Sequence, residues 1–204
     1  MAKRKTRLLR GGLQKVPTGI EGLDEITNGG LPKGRPTLVC GGAGSGKTLL
    51  GMEFLVRGAT QFNEPGVFMS FEETAEELTK NVASLGFDLN RLTASKRLLV
   101  DFVHIERSEI EETGEYDLEG LFIRLGSAID SIGAKRVVLD TIESDTAPRS
   151  ALRSELLRLA TLASSDTTSH PAAAGPSSLA RRTPLLNRVG LKNLAIVKHR
   201  KGAG

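Results

Sequence analysis

The chain has 204 residues and a formal net charge of +4, and 39% of its residues are hydrophobic and 4% aromatic. This length suits one globular domain with a real core, and the single cysteine, Cys40, excludes an internal disulfide framework and fits a reducing cytoplasm. No apolar run reaches the roughly 18 residues that a membrane helix needs, and the scattered histidines and cysteine are too few for a zinc site.

Positive charge is concentrated at the two ends of the chain. Residues 1–15 carry six basic and no acidic side chains, and residues 145–204 carry ten basic and three acidic ones. Residues 16–144 carry 12 basic and 21 acidic side chains. Because a nucleic-acid-binding protein would carry its positive charge on the folded body, we interpret 1–15 as a solvated basic arm and expect no nucleic-acid partner.

Strands and helices alternate from residue 16 to residue 144. Short apolar segments predict strands over 36–40, 66–71, 98–103 and 136–140. Amphipathic segments between them predict helices over 48–57, 74–85 and 118–132. This alternation is typical of an α/β fold with right-handed crossovers and a mostly parallel sheet covered by helices.

The pattern becomes irregular after residue 144. A helix is still predicted over 151–162, but the polar run 163–178 has no Val, Ile, Leu, Met or aromatic residue and cannot bury enough surface to order itself. A parallel sheet of this kind needs a strand after that helix, and the sequence offers none there, so we expect the C-terminal third to be incomplete or disordered. The predicted division is an arm over 1–15, a core over 16–162, a low-order segment over 163–193, and a terminal strand with a basic tail over 194–204.

A phosphate-binding motif lies between the first predicted strand and helix. Residues 41–48 read Gly-Gly-Ala-Gly-Ser-Gly-Lys-Thr and match G-x-x-x-x-G-K-[ST]. Lys47 would reach the β- and γ-phosphates of a nucleotide, and the Thr48 hydroxyl would bind Mg²⁺. Backbone N–H groups and the helix dipole would bind phosphate oxygens along Gly41, Gly42, Ala43, Gly44, Ser45 and Gly46. The alternative is a plain glycine turn.

Three carboxylates follow predicted strands. Asp140 ends the strand over 136–140, where it would complete the Mg²⁺ shell; the alternative is an ordinary aspartate that starts a turn. Glu72 and Glu73 lie between a strand and a helix, where a carboxylate would orient and deprotonate the attacking water. The alternative for both is that acidic residues before a helix favour its dipole, beside a capping box of Thr74 and Glu77.

These segments together resemble the KaiC family of circadian-clock ATPases, which is RecA-like, and in particular the first of the family's two tandem ATPase domains. The resemblance covers roughly residues 16–144 and is carried by residues 18–25, 29–34, 41–48, 64–74, 81–88 and 136–141. The sequence Phe-Glu-Glu-Thr over 71–74 separates this family from other RecA-like proteins. The resemblance implies a RecA-like P-loop fold, ATP and Mg²⁺ as cofactors, Glu72 and Glu73 as the catalytic pair, and Leu49 and Ser84 beside the nucleotide.

The resemblance also implies an assembly. In that family ATP lies between the subunits of a ring, and a neighbour contributes basic residues from a late strand. Residues 196–200, Ile-Val-Lys-His-Arg, look like that strand, so Lys198 and Arg200 are expected to touch the phosphates of a neighbouring subunit. The alternative is a solvated basic end. The implied partners are further copies of the chain in a hexameric ring and a protein of the KaiB type.

The chain also departs from the family. The polar run 163–178 stands where the family has an apolar strand and a Gly-Glu-Arg loop. We also expect the second domain, which carries the family's autophosphorylated Ser and Thr residues, to be missing from this chain. We therefore expect the family's kinase label not to apply to this chain. We hypothesise a truncated gene with a frame shift or deletion between about residues 145 and 193.

Three functions remain as hypotheses. The leading one is a cytoplasmic MgATP-hydrolysing ring that acts as a slow clock or signalling switch. The second is a truncated, non-catalytic remnant that binds nucleotide weakly or not at all. The third is a DNA-dependent, recombinase-like ATPase that uses the basic ends on the phosphate backbone, with binding that falls steeply with salt.

Overall fold

A computed structural model describes residues 13–103, 118–140 and 193–199. The strands are β1 (Lys15–Val16), β2 (Leu31–Pro32), β3 (Pro36–Gly41), β4 (Gly66–Ser70), β5 (Leu98–Phe102), β6 (Arg136–Asp140) and β7 (Asn193–His199). The helices are α1 (Leu23–Ile26), α2 (Lys47–Gln61), α3 (Ala75–Ala83), α4 (Leu89–Ala94) and α5 (Leu118–Ile132). Most of the predicted basic arm, the predicted helix over 151–162, the polar run 163–178 and Arg200 lie outside the described residues.

The main sheet confirms the predicted α/β class. Its five strands are hydrogen-bonded in the order β3-β7-β6-β4-β5, and every pair is parallel. The short strands β1 and β2 form a separate antiparallel pair. Parallel strands that alternate with helices along the chain are consistent with a RecA-like P-loop ATPase fold. Within the described ranges, no helix is long and apolar enough to cross a membrane.

Strand β7 lies between β3 and the other three strands of this sheet. Ile196 is paired with Leu38 of β3 on one side and with Leu139 of β6 on the other. Among the strands that the structure describes, β7 is the only neighbour of β3 in the main sheet. The apolar segment that the sequence predicts as a terminal strand is therefore an interior strand, and it attaches the phosphate-loop strand to the rest of the sheet.

Helices cover both faces of the sheet, as predicted. Because side chains alternate along a strand, Val67 and Met69 of β4 pack on one face, and Phe68 packs on the other. The first face is covered by α5, whose buried stripe is Leu121, Phe122, Leu125 and Ile129. The second face is covered by helices α2, α3 and α4. Strands buried on both faces read as continuous apolar runs, which explains why their boundaries were predictable from sequence.

A buried arginine lies where the parallel strands of the main sheet begin, which we call the amino-terminal edge of the sheet. Arg136, the first residue of β6, is fully buried, and its Nε donates to Glu64 Oε2 at 2.8 Å. Its guanidinium lies 4.5 Å from the ring centroid of Phe54 and 5.1 Å from that of Phe62. Gly58 makes room for it, since a Cβ there would lie 2.5 Å from Arg136 Cδ. Burial lowers the pKa of Arg136, and the ion pair with Glu64 opposes that shift.

The same arginine fastens the segment that precedes β2. Its terminal nitrogens donate to the carbonyl of Pro17 at 2.8 Å and to that of Thr18 at 3.3 Å. Asp24 accepts hydrogen bonds from the Thr18 N–H and hydroxyl and from the Gly19 N–H. Burial acts to raise the pKa of Asp24, but these hydrogen bonds and the charge of Arg136 outweigh it, so the pKa is lowered. These contacts hold residues 17–19 in place, ahead of β2, β3 and the loop that follows β3.

Candidate nucleotide-binding site

The loop over 41–48 has a backbone shape that glycine makes possible. It follows directly from β3, which ends at Gly41, and leads into α2, which begins at Lys47. Gly44 and Gly46 have φ angles of 69° and 80°, in the left-handed region that other residues rarely adopt. At Gly41 a Cβ would lie 2.3 Å from the Ser45 hydroxyl oxygen. The loop is therefore a tight turn at a helix N-terminus, which is a geometry suited to anions.

Lys47 points its ammonium group back into this loop. Its Nζ donates to the Gly42 carbonyl at 2.7 Å and lies 3.5 Å from the Ser45 hydroxyl oxygen. The residue is only 8% exposed, and none of the ion pairs among the described residues includes it. A largely buried lysine whose ammonium group has neutral partners favours a nearby anion.

Asp140 lies at the carboxyl-terminal edge of the same sheet. It is 4% exposed and is paired in register with Ser70 of β4, and the Phe71 N–H donates to its main-chain carbonyl at 2.8 Å. Because β7 separates β6 from β3, the two strands run about 9.5 Å apart, which is two strand spacings. Parallel strands end at a common edge, so Asp140 and the loop lie on the same side of the sheet.

Thr48 and Asp140 could contribute oxygen ligands to a magnesium ion. Thr48 is a half-buried residue in the first turn of α2, and both side chains offer the hard oxygens that Mg²⁺ prefers. No group of three or more His, Cys, Asp or Glu side chains in the described ranges could hold a metal. Mg²⁺ usually takes one or two protein ligands and completes its shell with water and phosphate oxygens, so these residues fit it.

Glu72 and Glu73 differ in their surroundings. Glu72 is exposed, whereas Glu73 is half-buried and is anchored at two points. The Glu73 N–H donates to the Ser70 hydroxyl oxygen at 3.1 Å, and its Oε2 accepts from Asn81 Nδ2 at 3.1 Å. The sequence predicted this carboxylate pair but not its contact with Asn81, although Asn81 begins the segment 81–88 that carries part of the family resemblance.

The capping box of α3 accounts for a different glutamate. Thr74 is the N-cap, its hydroxyl oxygen accepts from the Glu77 N–H at 3.3 Å, and Glu77 Oε2 accepts from the Thr74 N–H at 2.8 Å. The Thr74 hydroxyl also donates to Glu77 Oε2 at 2.8 Å, and the hydrogen bonds that the Thr74 backbone and hydroxyl donate lower the pKa of Glu77. Glu77 therefore closes the capping box, and neither Glu72 nor Glu73 is needed for it.

Four further residues were predicted to lie beside the nucleotide or its phosphates: Leu49, Ser84, Lys198 and Arg200. Leu49 is exposed in the first turn of α2, directly after Thr48. Ser84 is exposed at the end of α3, and its hydroxyl donates to the Asn81 carbonyl at 3.4 Å. Lys198 is paired in register with Cys40, one residue before the end of β3, so its backbone lies at the edge that carries the loop. Arg200 lies outside the described residues.

A family model and several known proteins match most of the described chain. The family model described as "ATPase: KaiC" matches residues 16–169. The circadian clock protein KaiC2 of Synechocystis sp. is 63% identical over 150 residues, which is 72% of this chain and 26% of that protein. The circadian clock oscillator protein KaiC of Synechococcus elongatus is 41% identical over 150 residues, covering 72% of this chain and 29% of that protein. The KaiC of Prochlorococcus marinus (strain MIT 9313) is 42% identical over 130 residues, with 64% and 26% covered. The chain thus spans little more than a quarter of the length of these relatives.

Proposed function

The chain belongs to the KaiC family of ATPases, and from that premise we propose that it binds MgATP on the loop over 41–48 and hydrolyses it slowly. The observation that carries the proposal is Lys47, a residue that is 8% exposed, whose ammonium group has neutral partners in a glycine-rich turn and forms no ion pair with any described residue. A triphosphate would supply the negative charge that this group lacks.

Each residue at the site has a role in binding the nucleotide. Backbone N–H groups of the loop and the N-terminus of α2 would bind the phosphate oxygens. Lys47 would exchange its contact with the Gly42 carbonyl for the β- and γ-phosphates. Thr48 and Asp140 would hold Mg²⁺, which neutralises charge on the phosphates. Leu49 and Ser84 are proposed to lie beside the bound nucleotide.

Hydrolysis needs a carboxylate close to the γ-phosphate. One member of the pair Glu72 and Glu73 would accept a proton from a water molecule as the water oxygen bonds to the γ-phosphorus. The bond between the γ-phosphorus and the β–γ bridging oxygen breaks, and the products are ADP and inorganic phosphate. Both glutamates follow the end of β4, whose last residue, Ser70, is paired with Asp140.

We extend the proposal to an assembly because the relatives are named as circadian clock proteins. The chain would form a hexameric ring in which Lys198 and Arg200 touch the phosphates of a neighbouring subunit. Hydrolysis would then switch the ring between states that a KaiB-type protein distinguishes, in a clock or a signalling role in the cytoplasm. The nucleotide domain would span 16–162, with 1–15 as a basic arm and 163–193 as a low-order segment before the terminal strand.

Thermal unfolding with and without MgATP tests the binding step. A ligand that binds only the folded state at a hundredfold excess over its Kd adds about 2.7 kcal/mol, so the transition should move to higher temperature. Lys47→Met keeps most of the side-chain volume and should abolish the shift. No shift in the unchanged chain would contradict the proposal and leave a non-catalytic remnant. Release of phosphate, measured beside Glu72→Gln and Glu73→Gln, then tests hydrolysis.

A further inference from the structure

A cleft of about 580 Å³ opens between α2, α4 and the segment that joins α3 to α4. Three arginines, Arg57, Arg91 and Arg97, line it beside one carboxylate, that of Asp88. We propose that this cleft binds a nucleoside phosphate, with the phosphate group on the arginines and the base against Phe87. The proposal concerns a second site, and it does not depend on the ATP binding proposed above.

The cleft is separate from the proposed ATP site. None of its lining residues belongs to the loop over 41–48. Arg57 lies ten residues beyond Lys47 on α2, which is about 15 Å along the helix axis. Arg97 directly precedes β5, and its carbonyl accepts from the N–H of Gly66, the first residue of β4, at 3.0 Å. The cleft therefore lies toward the amino-terminal edge of the sheet, whereas the ATP site is proposed at the carboxyl-terminal edge.

The three arginines offer N–H groups to an anion. Arg91 is exposed and Arg97 is half-buried, and none of the ion pairs within the described residues includes either of them. One terminal nitrogen of Arg97 donates to Asn63 Oδ1 at 3.0 Å. Arg57 donates to Glu53 Oε1 from Nε and Nη2, and this pair does not use its Nη1. Even when Glu53 and the aspartate of the lining are counted, positive charge is in excess, and guanidinium groups match phosphate oxygens well.

The other polar side chains of the cleft are acceptors. The Thr60 hydroxyl donates to the Val56 carbonyl at 2.7 Å, and the Ser95 hydroxyl donates to two main-chain carbonyls of α4 at 2.9 and 3.0 Å. Each hydroxyl has one hydrogen, so both oxygens are left to accept, as is the Asp88 carboxylate. A phosphate dianion has at most one hydrogen to donate. Ribose hydroxyls and a base amino group supply several donors, which favours a nucleoside phosphate over a simple anion.

The apolar part of the lining includes an aromatic ring. Phe87 is half-buried and packs against the core that α2, α3 and α4 form on the second face of the sheet. Gly86 has a φ angle of 77°, in the left-handed region, and so turns the chain from α3 toward Phe87 and α4. Nucleobases stack on aromatic side chains whatever their identity. The volume of the cleft lies within the roughly 300–1,000 Å³ that is usual for small-molecule sites.

The test is isothermal titration calorimetry of the full chain with AMP in the absence of magnesium. AMP lacks the β- and γ-phosphates that Lys47 would contact, so its binding should persist in Lys47→Met. Arg91→Gln removes a charged donor from the cleft and should raise the Kd for AMP about tenfold or more. Arg35→Gln changes an exposed arginine between β2 and β3, outside the cleft, and should leave this Kd unchanged.

Two fragments of AMP separate a nucleoside phosphate site from a simple anion site. Adenosine and inorganic phosphate should each bind more weakly than AMP by about tenfold or more. Phe87→Leu keeps an apolar side chain but removes the ring, so it should raise the Kd for AMP and leave the response to inorganic phosphate unchanged. Inorganic phosphate that binds as tightly as AMP would overturn the assignment of a nucleoside phosphate.

Three further results would overturn the proposal. They are no binding of AMP by the unchanged chain, loss of AMP binding in Lys47→Met, and an equal Kd in Arg91→Gln and the unchanged chain. Thermal unfolding without ligand checks that each variant is folded, and Arg97→Gln replaces Arg91→Gln if that variant does not unfold cooperatively. AMP binding without an MgATP shift would leave this site standing while the proposed function fails, and the opposite result would do the reverse.

Discussion

A buried basic residue lies at each end of the strands of the main sheet, and the two residues have different kinds of partner. At the amino-terminal edge, Arg136 is fully buried and its donors are matched by Glu64 and by main-chain carbonyls. At the carboxyl-terminal edge, Lys47 is also largely buried, but its ammonium contacts a carbonyl and a hydroxyl of its own loop. Arg136 thus has an internal counter-ion within the fold. Under the proposed function, the neutral partners of Lys47 are contacts that a nucleotide would replace.

The largest expected effect is at the amino-terminal edge. Arg136→Met removes one partner of a buried ion pair and leaves the Glu64 carboxylate buried without its guanidinium. We expect the free energy of unfolding to fall by roughly 3–5 kcal/mol in urea denaturation. Combining it with Glu64→Gln should recover part of that loss, because the buried carboxylate that lost its guanidinium is then replaced by a neutral amide. A loss below about 1 kcal/mol in Arg136→Met would show that the arginine is not essential to this edge.

The next largest effect is expected from a substitution in β7, the strand that connects β3 to β6. Ile196→Pro removes an N–H group from β7, an interior strand that is paired on both sides. Because β7 connects β3 to β6, we expect the stabilisation by MgATP, about 2.7 kcal/mol at a hundredfold excess, to be lost. The measurement is the same thermal shift. A full MgATP shift in Ile196→Pro would mean that the loop and Asp140 are held in place without β7.

A matched substitution at the carboxyl-terminal edge should have a small effect on stability. Without nucleotide, Lys47→Met loses hydrogen bonds to the Gly42 carbonyl and the Ser45 hydroxyl but leaves no carboxylate unpaired. We expect urea denaturation to show a loss of about 1 kcal/mol or less. The difference between Lys47→Met and Arg136→Met measures the contrast directly. Equal losses for the two would refute it.

The smallest expected effect is a response of the amino-terminal edge to acid. The folded-state pKa of Asp24 is lowered below its ordinary 3.8, so its contribution to stability is complete well above that value. The contribution should disappear as the pH falls from 3.8 through the folded-state pKa. Urea denaturation between pH 7 and pH 3 should show a shallower decline in Asp24→Asn than in the unchanged chain. Parallel curves for the two proteins would exclude a role for Asp24 in this decline.

Sequence patterns identified the five strands of the main sheet and the residues of the candidate site, but not the short strands β1 and β2. The phosphate loop, Asp140 and the glutamate pair were predictable because each is defined by residues close together in the chain and by its position after an apolar strand. Strands buried on both faces stood out as apolar runs, and the stripe of α5 stood out by its helical spacing. Helix α4 has only six residues and was not predicted, since so short a segment has too few turns to show a period.

Two sets of side-chain contacts were not predictable from the sequence: those of Arg136 at the amino-terminal edge and that of Asn81 at the site. Arg136 reads in the sequence as the first residue of a strand, and the partners that bury its charge lie 72 to 119 residues away. Asn81 begins the segment 81–88 that resembles the family, but the resemblance gives it no contact. Its hydrogen bond to Glu73 depends on the orientation of α3 relative to the residues that follow β4, which a local pattern does not encode.

The sequence by itself determined the α/β class, the phosphate loop and the family to which the chain belongs, because these depend on local residue order. Only the tertiary structure decided that β7 lies between β3 and β6, that Arg136 is an internal ion-pair partner, and that Asn81 contacts Glu73. The physical reason is the same in each case. Side-chain periodicity specifies which face of an element is buried, but the neighbour that buries it is chosen by packing and hydrogen bonding between distant segments.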